Sequence, residues 1–241
     1  MRIEHIGNAT LYLADCMDIM RDMPDKLFNL AIVDPPYGNC GLDRWSASEE
    51  TRFGDKKGSC FKKYLEAGCD VSWDRAPPPE YFEELFRVSK YQIIFGGNYF
   101  SLPPSRNFIV WRKTIPENFT MAMAEYAWTN IPGNAKVFEC ASQGTVHNPR
   151  FHPTQKPVAL YKWLLSRYAK HGDTILDTHG GSGSSVVACL DMGYPITWIE
   201  KDVNYFEAAL KRIKDFAAQP KLPLDDTPEP VEQWLGFEEE L

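Results

Sequence analysis

The chain has 241 residues, 44% of them hydrophobic and 13% aromatic, which allows one sizeable core and argues against disorder. No apolar run reaches transmembrane length and Met1-Arg2-Ile3-Glu4-His5 begins no signal peptide, so a cytoplasmic protein without membrane attachment is expected. Six cysteines, at positions 16, 40, 60, 69, 140 and 189, show no CxxC pairing and read as free thiols in a reducing compartment rather than as a metal site. The net charge is −7, but residues 221–241 carry seven acids and one lysine, leaving 26 acids and 25 bases in the first 220 residues. The acidity is therefore mostly a proline-containing tail on a nearly neutral body.

In chain order, apolar runs bounded by turn residues predict strands over 9–13, 29–33, 91–96, 107–111, 125–129, 174–177 and 196–200. Helical spacing is expected over 17–23, 80–88, 157–170, 184–192 and 204–216. Pro78-Pro79-Glu80 is a start signal, with proline entering the first turn and an acid just inside it. Two stretches stand apart: 38–75 is polar and poorly periodic, and 112–151 loses periodicity after its strand. Loops of such length inside a domain are usually functional or disordered. The alternation of strand and helix predicts an α/β fold with a mostly parallel sheet.

Asp34-Pro35-Pro36-Tyr37 follows directly on the apolar run Leu30-Ala31-Ile32-Val33. Two prolines end the strand and hold the tip extended, because Pro36 disfavours a helical Pro35. The tip thus offers a carboxylate, an unpaired carbonyl and an aromatic face at the carboxyl end of a strand, where open α/β sheets bind ligands. Those groups suit a planar base with an exocyclic amine; a proline-rich turn that merely contains a tyrosine fits the same residues.

A second constellation begins at Thr174-Ile175-Leu176-Asp177 and runs through Thr178-His179-Gly180-Gly181-Ser182-Gly183 into the small-residue stretch from Ser184. Strand, glycine turn and helix let a cofactor approach the backbone, and a branched side chain at Gly181 would obstruct it. The third glycine of the dinucleotide fingerprint is missing, which counts against a nicotinamide enzyme. Glu200, at the end of the run 196–200, can take both hydroxyls of a ribose. A plain βαβ connection with a solvated glutamate is the alternative.

The two motifs in this order resemble the β class of amino-methylating DNA methyltransferases. In that class the DPPY-type catalytic half precedes the S-adenosylmethionine half, a circular permutation of the Rossmann-like methyltransferase fold with helices on both faces of its sheet. Asp15 in Leu13-Ala14-Asp15-Cys16 matches the family's amino-terminal acid, and His152-Pro153-Thr154-Gln155-Lys156-Pro157 matches the segment before the cofactor half. Asp177 to Gly183 matches the glycine loop, Glu200-Lys201 the ribose acid and its neighbour, and residues 202–213 the helix that follows. The chain departs where the family has proline-phenylalanine and it has Thr178-His179. The implied organisation is one domain over 1–220, with a catalytic half (1–111) containing the loop 38–75, a short target-recognition region (112–151) and a cofactor half (152–220), followed by the tail 221–241.

The resemblance implies methyl transfer from S-adenosyl-L-methionine to an exocyclic amino nitrogen of a base flipped out of double-stranded DNA, with no metal required. Asp34, Pro35, Pro36 and Tyr37 are then the catalytic tip: Asp34 and the Pro35 carbonyl accept the amine hydrogens and Tyr37 stacks on the base. Cofactor contacts fall to Asp15, Cys16, Asp34, Thr154, Lys156, Asp177, His179, Gly180, Gly181, Ser182, Gly183, Glu200 and Lys201. Aspartate in the first motif position favours adenine, with the cytosine amino group as the alternative. Methylation at ring carbon 5 would want a Pro-Cys nucleophile, and none of the six cysteines follows proline. With a neutral body, phosphate contacts must come from local clusters, Arg44, Arg52, Lys56, Lys57, Lys62 and Lys63 in one and Arg112 and Lys113 in another. A homodimer and a cognate restriction endonuclease are partners the resemblance leaves open. So is a DNA-binding relative that has lost turnover, an idea prompted by His179.

Overall fold

The structure, a computed structural model, describes residues 1–38, 75–115, 122–141, 151–152 and 154–220. Among them, nine strands form one sheet: β1 (Arg2–Ile6), β2 (Ala9–Leu13), β3 (Phe28–Val33), β4 (Ser89–Phe95), β5 (Phe108–Arg112), β6 (Ala124–Thr129), β7 (Lys136–Glu139), β8 (Ile175–Asp177) and β9 (Ile196–Glu200). Five helices accompany them: α1 (Cys16–Arg21), α2 (Pro79–Val88), α3 (Val158–Tyr168), α4 (Ser184–Met192) and α5 (Val203–Ala217). The strand order is β1-β2-β9-β8-β3-β4-β6-β5-β7. β2, β9, β8, β3 and β4 run parallel, whereas β1 and β6 join antiparallel. The two strands from the carboxyl-terminal half, β8 and β9, thus lie between two strands from the amino-terminal half. Four parallel strands consequently deliver their carboxyl ends to one rim, with Asp15, Glu200, Asp177 and Asp34 at or just beyond those ends.

Central parallel strands are covered on both faces, and the residues alternate accordingly. Leu30 and Ile32 of β3 pack with Leu160, Leu164, Val186, Phe206 and Ile213 under α3, α4 and α5. Ala31 and Val33 face the other way, onto Ile19, Met20, Tyr81, Leu85 and Val88 of α1 and α2. The α2 start is as the sequence predicts, with Pro79 in the first turn and Glu80 beside it. At its far end Arg87 donates to the Met20 and Met23 carbonyls, both at 2.7 Å, and so satisfies acceptors at the end of α1. No described helix is long and apolar enough to cross a membrane.

Two strands lie outside the predicted set. β1 is largely exposed, and β7 pairs only with β5 at the opposite edge of the sheet. β7 also places ordered structure inside the segment 112–151. The loop 38–75 and the acidic tail fall outside the described residues, apart from Gly38 and Arg75.

Candidate active site

The rim formed by the strand ends opens into a cavity of about 590 Å³ that holds most of both sequence motifs. Asp15, Cys16, Asp34, Pro35, Pro36 and Tyr37 line it from the amino-terminal half. Thr154, Lys156, His179, Gly180, Gly181, Ser182, Glu200 and Lys201 line it from the other half. The fold therefore joins the two motifs in one space although about 140 residues separate them in the chain.

On the cofactor side, Glu200 sits at the end of β9 and is 9% exposed. Its Oε2 accepts from the Gly181 amide at 2.7 Å and its Oε1 from the Asp202 amide at 2.8 Å. These bonds fix the carboxylate against the loop; burial nevertheless pushes its proton affinity up. Asp15 combines two tasks, capping α1 through its Oδ1 with the Met17 amide at 2.9 Å while lining the cavity. The Cys16 thiol beside it is raised by burial to about 12 and stays protonated, so it offers the cavity a neutral sulfur.

Thr178 and His179, where the chain departs from its resemblance, are held by α2. The Tyr81 hydroxyl lies 2.6 Å from Thr178 Oγ1, and the Tyr81 and His179 rings meet edge to face at 5.1 Å. Burial, with a further contribution from Lys201, lowers the His179 imidazole to about 3, so it remains neutral across the physiological range. A neutral ring against the cavity can cover an apolar ligand surface much as an aromatic residue would. His152 also lines the cavity, its ring packed on Tyr205 at 4.3 Å and standing over Gly181.

Two residues of the matched loop stand behind the cavity instead of in it. Asp177 is 2% exposed, accepts from Ser185 Oγ at 2.6 Å and from the His179 amide at 3.2 Å, and has its carboxyl raised by burial to about 7. It ties the loop to α4. Gly183, at φ +70°, begins that helix, and a Cβ there would stand 2.9 Å from Ile213. Its role is close packing on α5.

On the catalytic side, the Tyr37 hydroxyl donates to Asp34 Oδ1 at 2.8 Å. One face of the Tyr37 ring stacks on Tyr99, with centroids 4.9 Å apart and planes 18° from parallel. Gly96 makes room for this ring: it adopts φ +67°, and a Cβ there would fall 2.1 Å from Tyr37 Cε1. Asp34 Oδ2 takes an ion pair from Lys156, whose ammonium also lies 3.3 Å from Glu125 Oε2. Glu125 Oε1 in turn holds Lys113 at 2.6 Å. Sequence reasoning missed Glu125, Tyr81 and His152 as site residues. His152 alone carried a signal, inside the matched segment before Lys156.

The second phosphate cluster requires correction. Lys113 is 7% exposed and paired with Glu125, so its ammonium is committed to the interior and does not face a phosphate. Antiparallel pairing of β5 with β6 sets Trp111 opposite Glu125 and so brings Lys113 beside it. Arg112 points outward and pairs with Glu139 at 2.9 Å, an exposed contact that contributes little and can exchange. Arg44, Arg52, Lys56, Lys57, Lys62 and Lys63 lie outside the described residues.

A mostly parallel sheet with helices on both faces and a glycine loop at its rim is the fold of the S-adenosylmethionine-dependent methyltransferases. The crystal structure of the M1.HpyAVI–SAM complex superposes with a TM-score of 0.55, covering 85% of this chain and 99% of that one at 21% identity. The cytosine-N4-specific PvuII DNA methyltransferase superposes at 0.53, over 90% of this chain and 95% of that one, at 11% identity. Within this class, residues 110–211 match the family described as DNA methylase, of the N6/N4 type. Type II methyltransferase M.HpaI of Haemophilus parainfluenzae is 23% identical over 249 residues, spanning 84% of this chain and 73% of its own length. The chain is thus similar to the DNA amino-methyltransferases in fold and, over residues 110–211, in sequence.

Glu200→Ala is expected to weaken S-adenosylmethionine binding by roughly 10- to 100-fold, the equivalent of about 1.5–3 kcal/mol for a charge-assisted bond. Isothermal calorimetry checks this; a dissociation constant within twofold of wild type would place the ribose anchor elsewhere.

Proposed function

We propose that this protein methylates the exocyclic amino nitrogen of adenine in double-stranded DNA, using S-adenosyl-L-methionine. The observation that carries the proposal is the single cavity in which Asp34, Pro35 and Tyr37 face the glycine loop and Glu200. The residues fit the cofactor's chemistry. Gly180 and Gly181 line the cavity without side chains, Glu200 and Asp15 offer acceptors, and the acidic rim favours a cation. Bound there, the cofactor supplies an electrophilic methyl group on a sulfonium.

The protein's own residues do the rest. An exocyclic amine is a poor nucleophile because its lone pair is delocalised into the ring. Asp34 and the Pro35 carbonyl accept its two N–H groups and leave the lone pair directed at the methyl donor. Tyr37, backed by Tyr99, presents a rigid face on which the flipped base stacks. Positioning of this kind supplies much of the acceleration. Aspartate at the head of the motif favours adenine over cytosine.

The deciding experiment is long-read sequencing of DNA from cells expressing the chain, which reports base, site and strand together. Modified adenine in cells expressing the wild type but not Asp34→Ala supports the proposal, its absence from the wild type would refute it, and N4-methylcytosine would redirect it to the other base. DNA contacts are assigned to Arg44, Arg52, Lys56, Lys57, Lys62, Lys63 and Arg112. Neutralising the four lysines of the first cluster should weaken binding to all sequences alike and flatten the salt dependence by about one unit of log–log slope per lost contact. An unchanged slope in an affinity series across salt concentrations would move the phosphate surface elsewhere.

A further inference from the structure

Lys156, named so far only as a cofactor contact, and Glu125 have no part in the methyl transfer described above, yet both stand next to its reacting end, Lys156 buried and Glu125 partly so. Lys156 is 4% exposed, and its ammonium bridges Asp34 and Glu125 while resting 4.6 Å from the centre of the Phe95 ring. Glu125 is joined to Lys113 on its far side. Four charged groups from three strand regions and the segment before α3 therefore form one largely buried row, Asp34, Lys156, Glu125 and Lys113, with the two lysines buried and the two carboxylates partly so. Its formal charges cancel.

We infer that Lys156 is a positioning residue for Asp34: it keeps the Asp34 carboxylate ionised and aimed at the substrate amine, while Glu125 and Lys113 hold Lys156 in place. This rests on the methyl-transfer reading above. The physical reason is that a desolvated carboxylate favours its proton, and a second carboxylate nearby strengthens that preference. Burial indeed pushes Asp34 upward and Glu125 adds to it, with Lys156 and the Tyr37 hydroxyl acting in the opposite sense. The other titratable groups facing Asp34 are Tyr81, Tyr161 and Asp177. The tyrosines are held neutral by burial, and Asp177 is a further carboxyl that disfavours charge on Asp34. Lys156 is thus the cation on which the ionised state depends among the described residues. A protonated Asp34 would have one oxygen occupied by its own hydrogen and would accept the amine poorly. A lysine anchored at its other side by Glu125 also stays in place when the amine takes up a lone pair of Asp34.

The sign of each variant follows from the charges. Lys156→Met leaves two carboxylates against one lysine, so the acid limb of kcat/KM should move to higher pH, by about one unit or more. Glu125→Gln removes the like charge and should move it to lower pH. The double variant, again neutral, should bring the limb back toward wild type. A purely structural role would lower kcat equally at every pH and would make the second substitution additive.

The test uses the full chain in three variants, with tritiated S-adenosylmethionine and unmethylated, PCR-amplified bacterial genomic DNA as acceptor, assayed from pH 5 to 9. In parallel, carboxyl-carbon NMR titration of protein labelled with 13C-aspartate, the Asp34 signal assigned by Asp34→Asn, reads the same ionisation without turnover. Opposite shifts in the single variants and recovery in the double support the inference. A wild-type Asp34 midpoint in Lys156→Met, or an upward shift in Glu125→Gln, overturns it. If the wild type transfers no methyl to DNA, the functional reading fails, while the NMR midpoints still decide whether Lys156 governs Asp34. Should Lys156→Met not fold, Glu125→Gln alone carries the opposite-sign test.

Discussion

Asp34→Ala should abolish DNA methylation while leaving S-adenosylmethionine affinity within a few-fold of wild type. The carboxylate reaches the cavity from the end of β3 and is prepared on both oxygens, by Tyr37 on one and Lys156 on the other. Removing a preorganised acceptor of this kind costs on the order of 10²–10³ in rate, and the cost here is expected to exceed that range. Three groups lose their partner together: the substrate amine, the Tyr37 hydroxyl and the Lys156 ammonium. The last is the most serious, because the buried Lys156 ammonium is left with Glu125 alone and must share that carboxylate with Lys113. The residues proposed to anchor the cofactor, Glu200 and the glycine loop, lie at the ends of β9 and β8 rather than of β3, which is why binding and turnover should separate. Single-turnover assays and calorimetry on the same preparation measure the two. Activity within a few-fold of wild type, or a parallel collapse of cofactor affinity, would remove Asp34 from the role assigned to it.

What was legible in the sequence follows from where each element sits. The strands at 9–13, 29–33, 91–96 and 196–200 could be read because buried parallel strands are nearly continuous apolar runs, and here proline, glycine or an acid stops them abruptly. Both motif halves followed from the same reading, and their meeting at one sheet rim is what the strand order adds. β1 and β7 were missed for the converse reason. Their residues, Arg-Ile-Glu-His-Ile and Lys-Val-Phe-Glu, sit on sheet edges with side chains largely in solvent, so neither burial nor alternation marks them. Lys113 shows the limit most clearly. A lysine in a basic cluster reads as surface, and only the register of β5 against β6 reveals the half-buried glutamate that claims it. Tyr81 reached the site through the packing of α2 on the loop, a tertiary fact with no local signature.

The glycine loop illustrates how the structure relocates an expectation. The sequence points to Gly181 as a position where added bulk does harm, since a branched side chain there would block close approach of a ligand to the backbone. Gly181 has φ +51°, so any side chain there is strained, but a Cβ would meet only the His152 ring at 3.4 Å, an ordinary contact. The crowded position is its neighbour. At Gly180 a Cβ would fall 1.9 Å from Trp198 Cε2 and 2.0 Å from its Nε1, an overlap no side chain tolerates.

Gly180→Ala is therefore expected to be the most damaging single methyl group that can be added to the cofactor half. Trp198 cannot yield, because it is fully buried in β9 and packs on Phe206 with ring centroids 5.7 Å apart. The loop must move instead, and it would give up the bond from the Gly180 amide to the Ile199 carbonyl at 2.9 Å and strain that from Gly181 to Glu200 at 2.7 Å. Overpacking of this kind costs about 1–3 kcal/mol, occasionally more, and lowers Tm by roughly 2–4 °C per kcal/mol in a chain of this size. Cofactor affinity should fall further than stability does, by about 100-fold or more, since two loop bonds and the ribose acid are displaced together. The explanation can be isolated by making room from the other side. Trp198 Nε1 has no hydrogen-bond partner among the described residues, so Trp198→Phe forfeits no bond and should be mild by itself. Combined with Gly180→Ala it should recover much of the lost Tm and affinity, a favourable coupling between touching residues. Thermal melts and calorimetry on the two single variants and the double measure that coupling. Additive losses would mean that the loop fails for some reason other than contact with Trp198.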